Sequence, residues 1–289
     1  MELSPRIESW RGQGEDVRFR ERRIHVHRRD GDGPLLLLLH GFPSSAFDWR
    51  GVLERTHGRR ALAFDFLGFG LSEKPAGHEY TLAWQADLAE ELVRQTGPAP
   101  VFVVAHDMGT SVATELMARD LRGELGFDLA GVLLFNGSIL LHRAKPTSGQ
   151  RLLRSPAGPL AARAMNRAFF LRQFSGLFSP DHPLAPQEAE DQWALIAHEG
   201  GHRIAHRTIS YMDERERFAE RWHGAVAAWP GPLSFAWGML DPVARPAVLA
   251  GLRELRPAAP VTELPRLGHY PQIESPDEVL AALEAALSA

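Results

Sequence analysis

The chain contains no cysteine among its 289 residues. That absence excludes disulfide bonds, a thiolate nucleophile and metal sites built from thiolates. A net charge of −4 gives no argument for nucleic acid as a partner. The arginines between Arg18 and Arg29 alternate with apolar residues, which is typical of the solvent face of two short strands rather than of a binding patch.

The sequence also lacks a long hydrophobic run. The longest leucine run spans residues 35–39, whereas a transmembrane helix needs about 20 apolar residues. The N-terminal residues contain no apolar core of the kind found in signal peptides. We therefore expect no membrane partner and a cytoplasmic location.

The first and last parts of the chain alternate between strand and helix patterns. This alternation predicts an α/β fold, with a mostly parallel sheet and helices on both faces. The predicted elements are a hairpin at 17–28, strands at 35–39, 61–64, 101–105, 132–135, 233–237 and 261–264, and helices at 46–55, 82–95, 109–119, 246–253 and from Pro276. Thr81 is the predicted cap of the helix at 82–95, and Ser275 with Glu278 forms a predicted capping box.

The alternation stops between about residues 138 and 226, where helical pieces at 161–174 and 188–198 occur without a convincing strand. The simplest interpretation is a helical cap inserted into an α/β core. The predicted division is core at 1–137, cap at 138–227 and core again at 228–289.

Asp107 lies at the centre of a sharp turn between a strand and a helix. The turn reads Ala105-His106-Asp107-Met108-Gly109, with small residues two places before and two places after the aspartate. This spacing predicts a nucleophile elbow, in which the central side chain is exposed at the carboxyl edge of the sheet. An aspartate that merely caps the following helix is the alternative.

Asp241 follows the predicted strand at 233–237, and His269 follows the one at 261–264, which gives the order nucleophile, acid, histidine. Asp241 would hold the imidazole ring, and His269 would activate water as a general base. The alternatives are a turn aspartate before Pro242 and a surface histidine. The backbone N–H groups of Phe42 and Met108 are the predicted oxyanion hole.

A carboxylate at an elbow favours a particular chemistry. It can displace a leaving group from saturated carbon and form an alkyl ester, which activated water then hydrolyses. Epoxide opening and carbon–halogen cleavage are reactions of this type.

The chain resembles the Asp-nucleophile branch of the α/β-hydrolase fold, which includes epoxide hydrolases and haloalkane dehalogenases. The resemblance covers nearly the whole chain and is closest to the mesoderm-specific transcript group. The residues that carry it are Leu39-His-Gly-Phe-Pro-Ser-Ser-Ala-Phe-Asp-Trp, Asp65-Phe-Leu-Gly-Phe-Gly-Leu-Ser-Glu-Lys-Pro, Phe135-Asn-Gly-Ser-Ile and Arg221-Trp-His-Gly-Ala.

The resemblance implies that dehalogenation is disfavoured. Haloalkane dehalogenases usually hold the departing halide with Asn or Trp where this chain has Phe42, and with Trp where it has Met108. A halide left without donors in an apolar pocket is costly. Trp193 in the predicted cap is a possible replacement donor. Fluoroacetate-type dehalogenases have Arg after the elbow, and this chain does not.

Epoxide hydrolases use cap tyrosines to bind and protonate the ring oxygen. The chain has only three tyrosines, and Tyr211 is the one in the predicted cap, where it resembles the later of the two family tyrosines. The earlier tyrosine has no evident counterpart. Either a histidine substitutes for it, the candidates being His182, His198, His202 and His206, or the site works with one donor. None of these histidines forms a set with metal-ligand spacing.

We therefore predict a cofactor-independent hydrolase that opens an epoxide to a diol. Haloalkane dehalogenation, lactone or ester hydrolysis by His-activated water, and a non-catalytic binding protein are the alternatives. Aromatic residues of the predicted cap suggest a small apolar substrate, and they are Phe169, Phe170, Phe174, Phe178 and Trp193. Tyr211, Trp193 and His106 are the predicted substrate-binding residues, no metal is expected, and the oligomeric state stays open.

Overall fold

The computed structural model describes residues 3–288. Its centre is an eight-stranded sheet with the order β1-β2-β4-β3-β5-β6-β7-β8. The strands are β1 (Glu15–Phe19), β2 (Arg22–Arg29), β3 (Asp32–Leu39), β4 (Arg59–Phe64), β5 (Val101–His106), β6 (Leu129–Phe135), β7 (Leu233–Gly238) and β8 (Val261–Leu264). Only β2 pairs antiparallel, with β1 and with β4, and the other neighbours are parallel. The predicted fold class is confirmed.

Helices cover both faces of this sheet. They are α1 (Pro5–Gly12), α2 (Arg50–Arg55), α3 (Leu82–Gln95), α4 (Met108–Asp120), α5 (Ser148–Arg154), α6 (Gly158–Ala164), α7 (Arg167–Ser175), α8 (Pro186–Ala197), α9 (Ala205–Thr208), α10 (Tyr211–Arg217), α11 (Ala219–Ala228), α12 (Pro246–Leu255), α13 (Pro271–Glu274) and α14 (Pro276–Leu287). Short 3-10 turns occur at Ala46–Trp49, Leu141–Arg143 and His198–Ile204.

The central strands are buried on both sides, as their unbroken apolar sequences require. All six residues of β5 are buried. Alternate residues of β3 and β5 point into two apolar clusters, one on each face of the sheet. A sheet sandwiched in this way holds the loops at its carboxyl edge in fixed positions, which is the usual place for a site in this architecture.

Two local predictions were wrong. The predicted helix at 161–174 is divided into α6 and α7, because the side chain of Asn166 accepts a hydrogen bond from the Phe169 N–H and starts a new helix. Ser275 precedes α14 but its side chain makes no capping hydrogen bond. By contrast, Thr81 caps α3 through the Trp84 N–H, as predicted.

Residues 138–227 contain helices and turns but no strand, which agrees with a helical insertion between β6 and β7. The division of the chain at residues 138 and 227 into core and cap stays a prediction. None of the helices within residues 3–288 combines the length and the apolar character needed to cross a bilayer.

Candidate active site

Asp107 occupies a strained turn between β5 and α4. Its backbone has φ 45° and ψ −108°, a region that residues with a Cβ rarely adopt and that is found at functional sites. The turn is possible because residue 109 is a glycine: a Cβ there would lie 2.7 Å from the carbonyl oxygens of both Leu39 and His40. The spacing of small residues predicted for an elbow therefore has a direct steric reason.

The carboxylate of Asp107 is 1% exposed and is held by the loop that follows β3. The Phe42 N–H donates to Asp107 Oδ1 at 2.9 Å. The Tyr270 hydroxyl donates to the Phe42 carbonyl at 3.3 Å and supports the same loop. Within residues 3–288, no hydrogen bond joins the Met108 amide to this carboxylate. Of the two predicted oxyanion donors, Phe42 is therefore the one that hydrogen-bonds Asp107 in this structure.

Asp241 and His269 form a tightly held pair. His269 Nδ1 lies 2.7 Å from Asp241 Oδ2. The other carboxylate oxygen accepts from the backbone N–H groups of Val243 at 2.7 Å and Ala244 at 3.0 Å. Because an ionised carboxylate only accepts hydrogen bonds, the proton of neutral His269 is on Nδ1 and its Nε2 is free to take a proton.

The surroundings of His269 also set its basicity. Burial favours the neutral ring, but the charge and hydrogen bond of Asp241, together with the charge of Asp107, outweigh burial and raise the pKa of His269 above its ordinary value. A more basic ring is a stronger proton acceptor. The effect of Asp107 on His269 indicates that the elbow and the pair belong to one site.

Asn136 is a site residue that sequence reasoning missed. It follows β6 with φ 41°, and its Nδ2 donates to Asp241 Oδ2 at 2.8 Å. The same amide bonds the backbone of Gly238, accepting from its N–H at 2.9 Å. Asn136 therefore fixes the loop that carries Asp241. In the sequence, Asn136 stands at a strand end and within one of the motifs that carry the family resemblance, but the resemblance suggested no role for it.

Arg215 is a second missed residue, on α10 in the predicted cap. It is 1% exposed; Nη2 donates to the Asp107 carbonyl oxygen and Nε to Ser111 Oγ, both at 2.8 Å. Nη2 also lies 3.9 Å from Asp107 Oδ2. In the sequence, Arg215 stands among charged residues and resembles the solvent face of a helix. No local pattern distinguishes it.

Tyr211 lies beside these groups. Its ring centroid is 4.6 Å from the Arg215 guanidinium carbon and 5.6 Å from the ring of Phe42. Its hydroxyl accepts a hydrogen bond from Gln150 Nε2 at 3.4 Å. Burial and then the charge of Asp107 raise the pKa of Tyr211 far above its ordinary value, so the hydroxyl keeps its proton at neutral pH.

A mostly apolar cavity of about 80 Å³ adjoins the site. Phe42 and His269 are part of its wall, with Phe169, Phe170 and Phe174 from the predicted cap. Its polar wall residues include Gln150, whose amide contacts Tyr211, and Gln173. An apolar wall with a few polar groups is typical of small-molecule sites.

Two predicted substrate contacts lie elsewhere. His106 is fully buried, and its Nε2 lies 2.7 Å from the His269 carbonyl oxygen. Burial and the neighbouring His269 lower the pKa of His106 to about 3, so the ring is neutral and supports the histidine loop. Trp193 packs behind Phe170, with ring centroids 5.5 Å apart. Neither residue is part of the cavity wall. Tyr211 and Asp107 are not part of it either, and they adjoin it through their hydrogen bonds with the wall residues Gln150 and Phe42.

The four cap histidines are also absent from the cavity wall. They are His182, His198, His202 and His206. Within residues 3–288, no group of three or more His, Asp or Glu residues has a geometry that could hold a metal ion.

Comparisons with known proteins agree with the fold. The profile of the alpha/beta hydrolase family matches residues 36–282. The chain is 54% identical over 285 residues to the putative hydrolase LipZ of Mycobacterium tuberculosis, covering 99% of this chain and 98% of that protein. It is 34% identical to the mesoderm-specific transcript protein of Mus musculus, covering 95% of this chain and 86% of that protein.

Solved structures with the same fold include enzymes of both predicted chemistries. Haloalkane dehalogenase DatA from Agrobacterium tumefaciens C58 superposes with a TM-score of 0.78 at 22% identity, over 95% of this chain and 96% of that one. Epoxide hydrolase CorEH superposes with a TM-score of 0.75 at 19% identity, over 95% and 98% of the two chains. The resemblance inferred from the motifs is confirmed, and the chain belongs to the α/β-hydrolase family.

Proposed function

We propose that this α/β hydrolase opens epoxides to diols through a covalent ester on Asp107. The observation that carries the proposal is the buried elbow carboxylate, with one oxygen held by the Phe42 N–H and the His269–Asp241 pair beside it. A carboxylate in this position can attack saturated carbon and needs no cofactor to do so.

In the first step, Asp107 Oδ2 attacks one ring carbon of the epoxide. The carbon–oxygen bond of the ring breaks, and the oxygen takes the electron pair and then a proton from the Tyr211 hydroxyl. The product is a hydroxyalkyl ester of Asp107. The phenolate of Tyr211 regains a proton in the second step, because its raised pKa makes it a strong base.

In the second step, His269 Nε2 removes a proton from water and the resulting hydroxide attacks the ester carbonyl carbon. Negative charge develops on Oδ1, where the Phe42 N–H already donates. One such donor is typically worth about 3 to 4 kcal/mol of barrier. The intermediate then collapses to diol and carboxylate. The two protons of the water, one held by His269 and one on the added hydroxyl, go to the leaving oxygen of the diol and to the Tyr211 phenolate, so that Asp107, Tyr211 and His269 return to their starting states.

Residues 138–227 act in this proposal as the cap that encloses the substrate. The cap contributes Gln150 and Phe170 to the cavity wall and Tyr211 beside Gln150, while Arg215 joins it to the nucleophile turn. The apolar wall supports a small apolar substrate as the partner. A cytoplasmic location stays a prediction.

The test is mass spectrometry of His269→Gln after exposure to aryl and alkyl epoxides and to haloalkanes. Removing the base stalls the second step, so an adduct of the whole epoxide mass accumulates on Asp107. Asp107→Asn is the control, and we expect it to form no adduct. An alkyl adduct that has lost halide would assign the protein to dehalogenation, since both reactions pass through an Asp ester. No adduct from the panel would overturn the proposal.

A further inference from the structure

Gln150 is a polar residue of the cavity wall whose amide has a fixed orientation. Its Oε1 accepts from the Thr147 N–H at 2.8 Å, and its own N–H donates to Thr147 Oγ1 at 3.1 Å. This is a complete capping box at the start of α5. Because a backbone N–H must face an oxygen, the side-chain amide cannot be reversed, and Nε2 is the atom that faces away from Thr147.

Nε2 faces the hydroxyl of Tyr211 at 3.4 Å. An amide nitrogen only donates hydrogen bonds, so the Tyr211 oxygen accepts this one. The hydroxyl proton of Tyr211 must therefore point away from Gln150. Tyr211 is 2% exposed, and its hydroxyl has no other hydrogen-bond partner within residues 3–288. The proton therefore has no acceptor in the described part of the protein, and the hydroxyl lies next to Gln150, a residue of the cavity wall.

We propose that Gln150 is a positioning residue that keeps the Tyr211 proton directed towards bound substrate. This inference rests on the proposed epoxide chemistry, in which Tyr211 protonates the ring oxygen. It replaces the expectation of a second cap tyrosine or histidine: the chain uses an amide, anchored in a helix cap, to orient a single acid. This arrangement favours substrates whose leaving group is an oxygen atom, because that oxygen needs a proton.

Gln150→Glu tests the inference, because glutamate at this position of a capping box still accepts from the Thr147 N–H. The other carboxylate oxygen then accepts where the amide donated, so it draws the Tyr211 proton away from substrate. In a His269→Gln background, we expect ester formation from an epoxide to slow by about 100-fold, the scale of lost general acid catalysis. The measurement is single-turnover mass spectrometry at saturating epoxide.

Gln173→Glu is the matched control. Gln173 also belongs to the cavity wall, and its Oε1 accepts from Ser148 Oγ at 3.2 Å rather than contacting Tyr211. The Gln173→Glu substitution introduces the same charge, but it does not replace the hydrogen-bond donor of Tyr211 by an acceptor. Ester formation should therefore slow much less than in Gln150→Glu.

A double-mutant cycle with Tyr211→Phe separates positioning from a general structural effect. If Gln150 acts through Tyr211, adding Gln150→Glu to Tyr211→Phe causes no further loss. An equal additional loss would overturn the inference, as would normal ester formation in Gln150→Glu alone. Failure of every His269→Gln protein to form an ester would instead be a failure of the proposed function.

A second readout needs no substrate. The chain has three tyrosines, so tyrosine labelled with ¹³C at Cζ gives three resonances, and Tyr211→Phe identifies one of them. We expect the Tyr211 resonance of Gln150→Glu to move downfield, towards the phenolate position, because its hydroxyl now donates to a carboxylate. Gln173→Glu should leave it in place. An unchanged Tyr211 resonance in Gln150→Glu would contradict the proposed orientation.

Discussion

Arg215 links a cap helix to the residue that carries the proposed chemistry. Its guanidinium bonds the backbone oxygen of Asp107 and the hydroxyl of Ser111, and it lies over the ring of Tyr211. Asp107 and Arg215 are each 1% exposed. Burying one charge alone is costly, whereas a buried pair reduces that cost for both partners.

Replacing Arg215 should therefore reduce stability. We expect Arg215→Met to lower the free energy of unfolding by about 3 to 5 kcal/mol, because it leaves the Asp107 charge buried without its cation. Arg215→Lys should lose less, since it keeps the charge. Urea denaturation provides the measurement.

Arg163→Met is the control, because Arg163 is an exposed arginine of α6 without an ion pair in residues 3–288. Adding Asp107→Asn to Arg215→Met should restore part of the stability, since the unpaired charge is then gone. Equal unfolding free energies for Arg215→Met and Arg163→Met would contradict this account.

The loop after β3 and the turn after β5 meet at their backbones. A Cβ on Gly41 would lie 2.7 Å from the Cβ of Asp107 and 2.9 Å from His106 Nδ1. This close approach is what allows the next residue, Phe42, to place its N–H on the Asp107 carboxylate.

Gly41→Ala should impair the hydrolytic step specifically. The loop has to retreat from Asp107, whose Cβ is fixed by the turn, and the Phe42 N–H then moves away from Oδ1. We expect decay of a preformed ester to slow by about 100- to 1000-fold, the effect of losing one oxyanion donor. Mass spectrometry of ester decay measures this rate.

Gly77→Ala is the matched control, because a Cβ at Gly77 meets nothing within 4 Å. Thermal unfolding establishes that both variants are folded. If the ester on Gly41→Ala decays as fast as in the Gly77→Ala protein, the Phe42 amide is not a necessary donor.

The elements that build the sheet were predictable because each depends on a local pattern. The apolar run of β5 and the small residues around Asp107 indicate a buried strand and a sharp turn without reference to the rest of the chain. Asp241 and His269 were found because residues after neighbouring parallel strands meet at one edge. The break at Asn166 was missed because the helical spacing of apolar residues continues through it. The helix is nevertheless interrupted there, because the Asn166 side chain caps the helix that follows.

Contacts between distant parts of the chain account for the residues that were not predicted. Arg215 reaches Asp107 across 108 positions, and Asn136 reaches Asp241 across 105. Nothing near Arg215 in the sequence indicates that its partner is a backbone oxygen at the nucleophile. The contact between Gln150 and Tyr211 was not predicted either, because it joins α5 to α10 across 61 positions.

Several polar contacts connect the predicted cap to the core, and one of them contains a buried carboxyl group. Asp48, in the 3-10 turn after β3, is buried and accepts from the Ser44 hydroxyl and from Gln192 Nε2 of α8. Burial raises the pKa of Asp48 to about 7, although these two hydrogen bonds oppose the change. The nearby charges of Glu188 and Arg50 have opposite and smaller effects.

A raised carboxyl pKa makes stability fall as the pH rises. Below the unfolded-state pKa of about 4, Asp48 is protonated in both states and has no effect. Between about pH 4 and pH 7 the Asp48 carboxyl group is ionised in the unfolded chain but stays protonated in the folded protein, so the free energy of unfolding decreases as the pH rises. Above about pH 7 the penalty is complete, and a difference of three pKa units corresponds to at most about 4 kcal/mol.

Asp48→Asn should remove this penalty while keeping the connection. The amide oxygen still accepts from Gln192, and the amide nitrogen can donate to Ser44, whose hydroxyl then donates to the Gly41 carbonyl that it already approaches at 3.3 Å. We expect the variant to gain stability over wild type at pH 8 and to lose that advantage at pH 4, as measured by urea unfolding at both values. Asp181→Asn, at an exposed position, should show no such difference. A variant less stable than wild type at pH 8 would mean that ionised Asp48 supports the junction between cap and core, because its two hydrogen bonds then outweigh the cost of burying its charge.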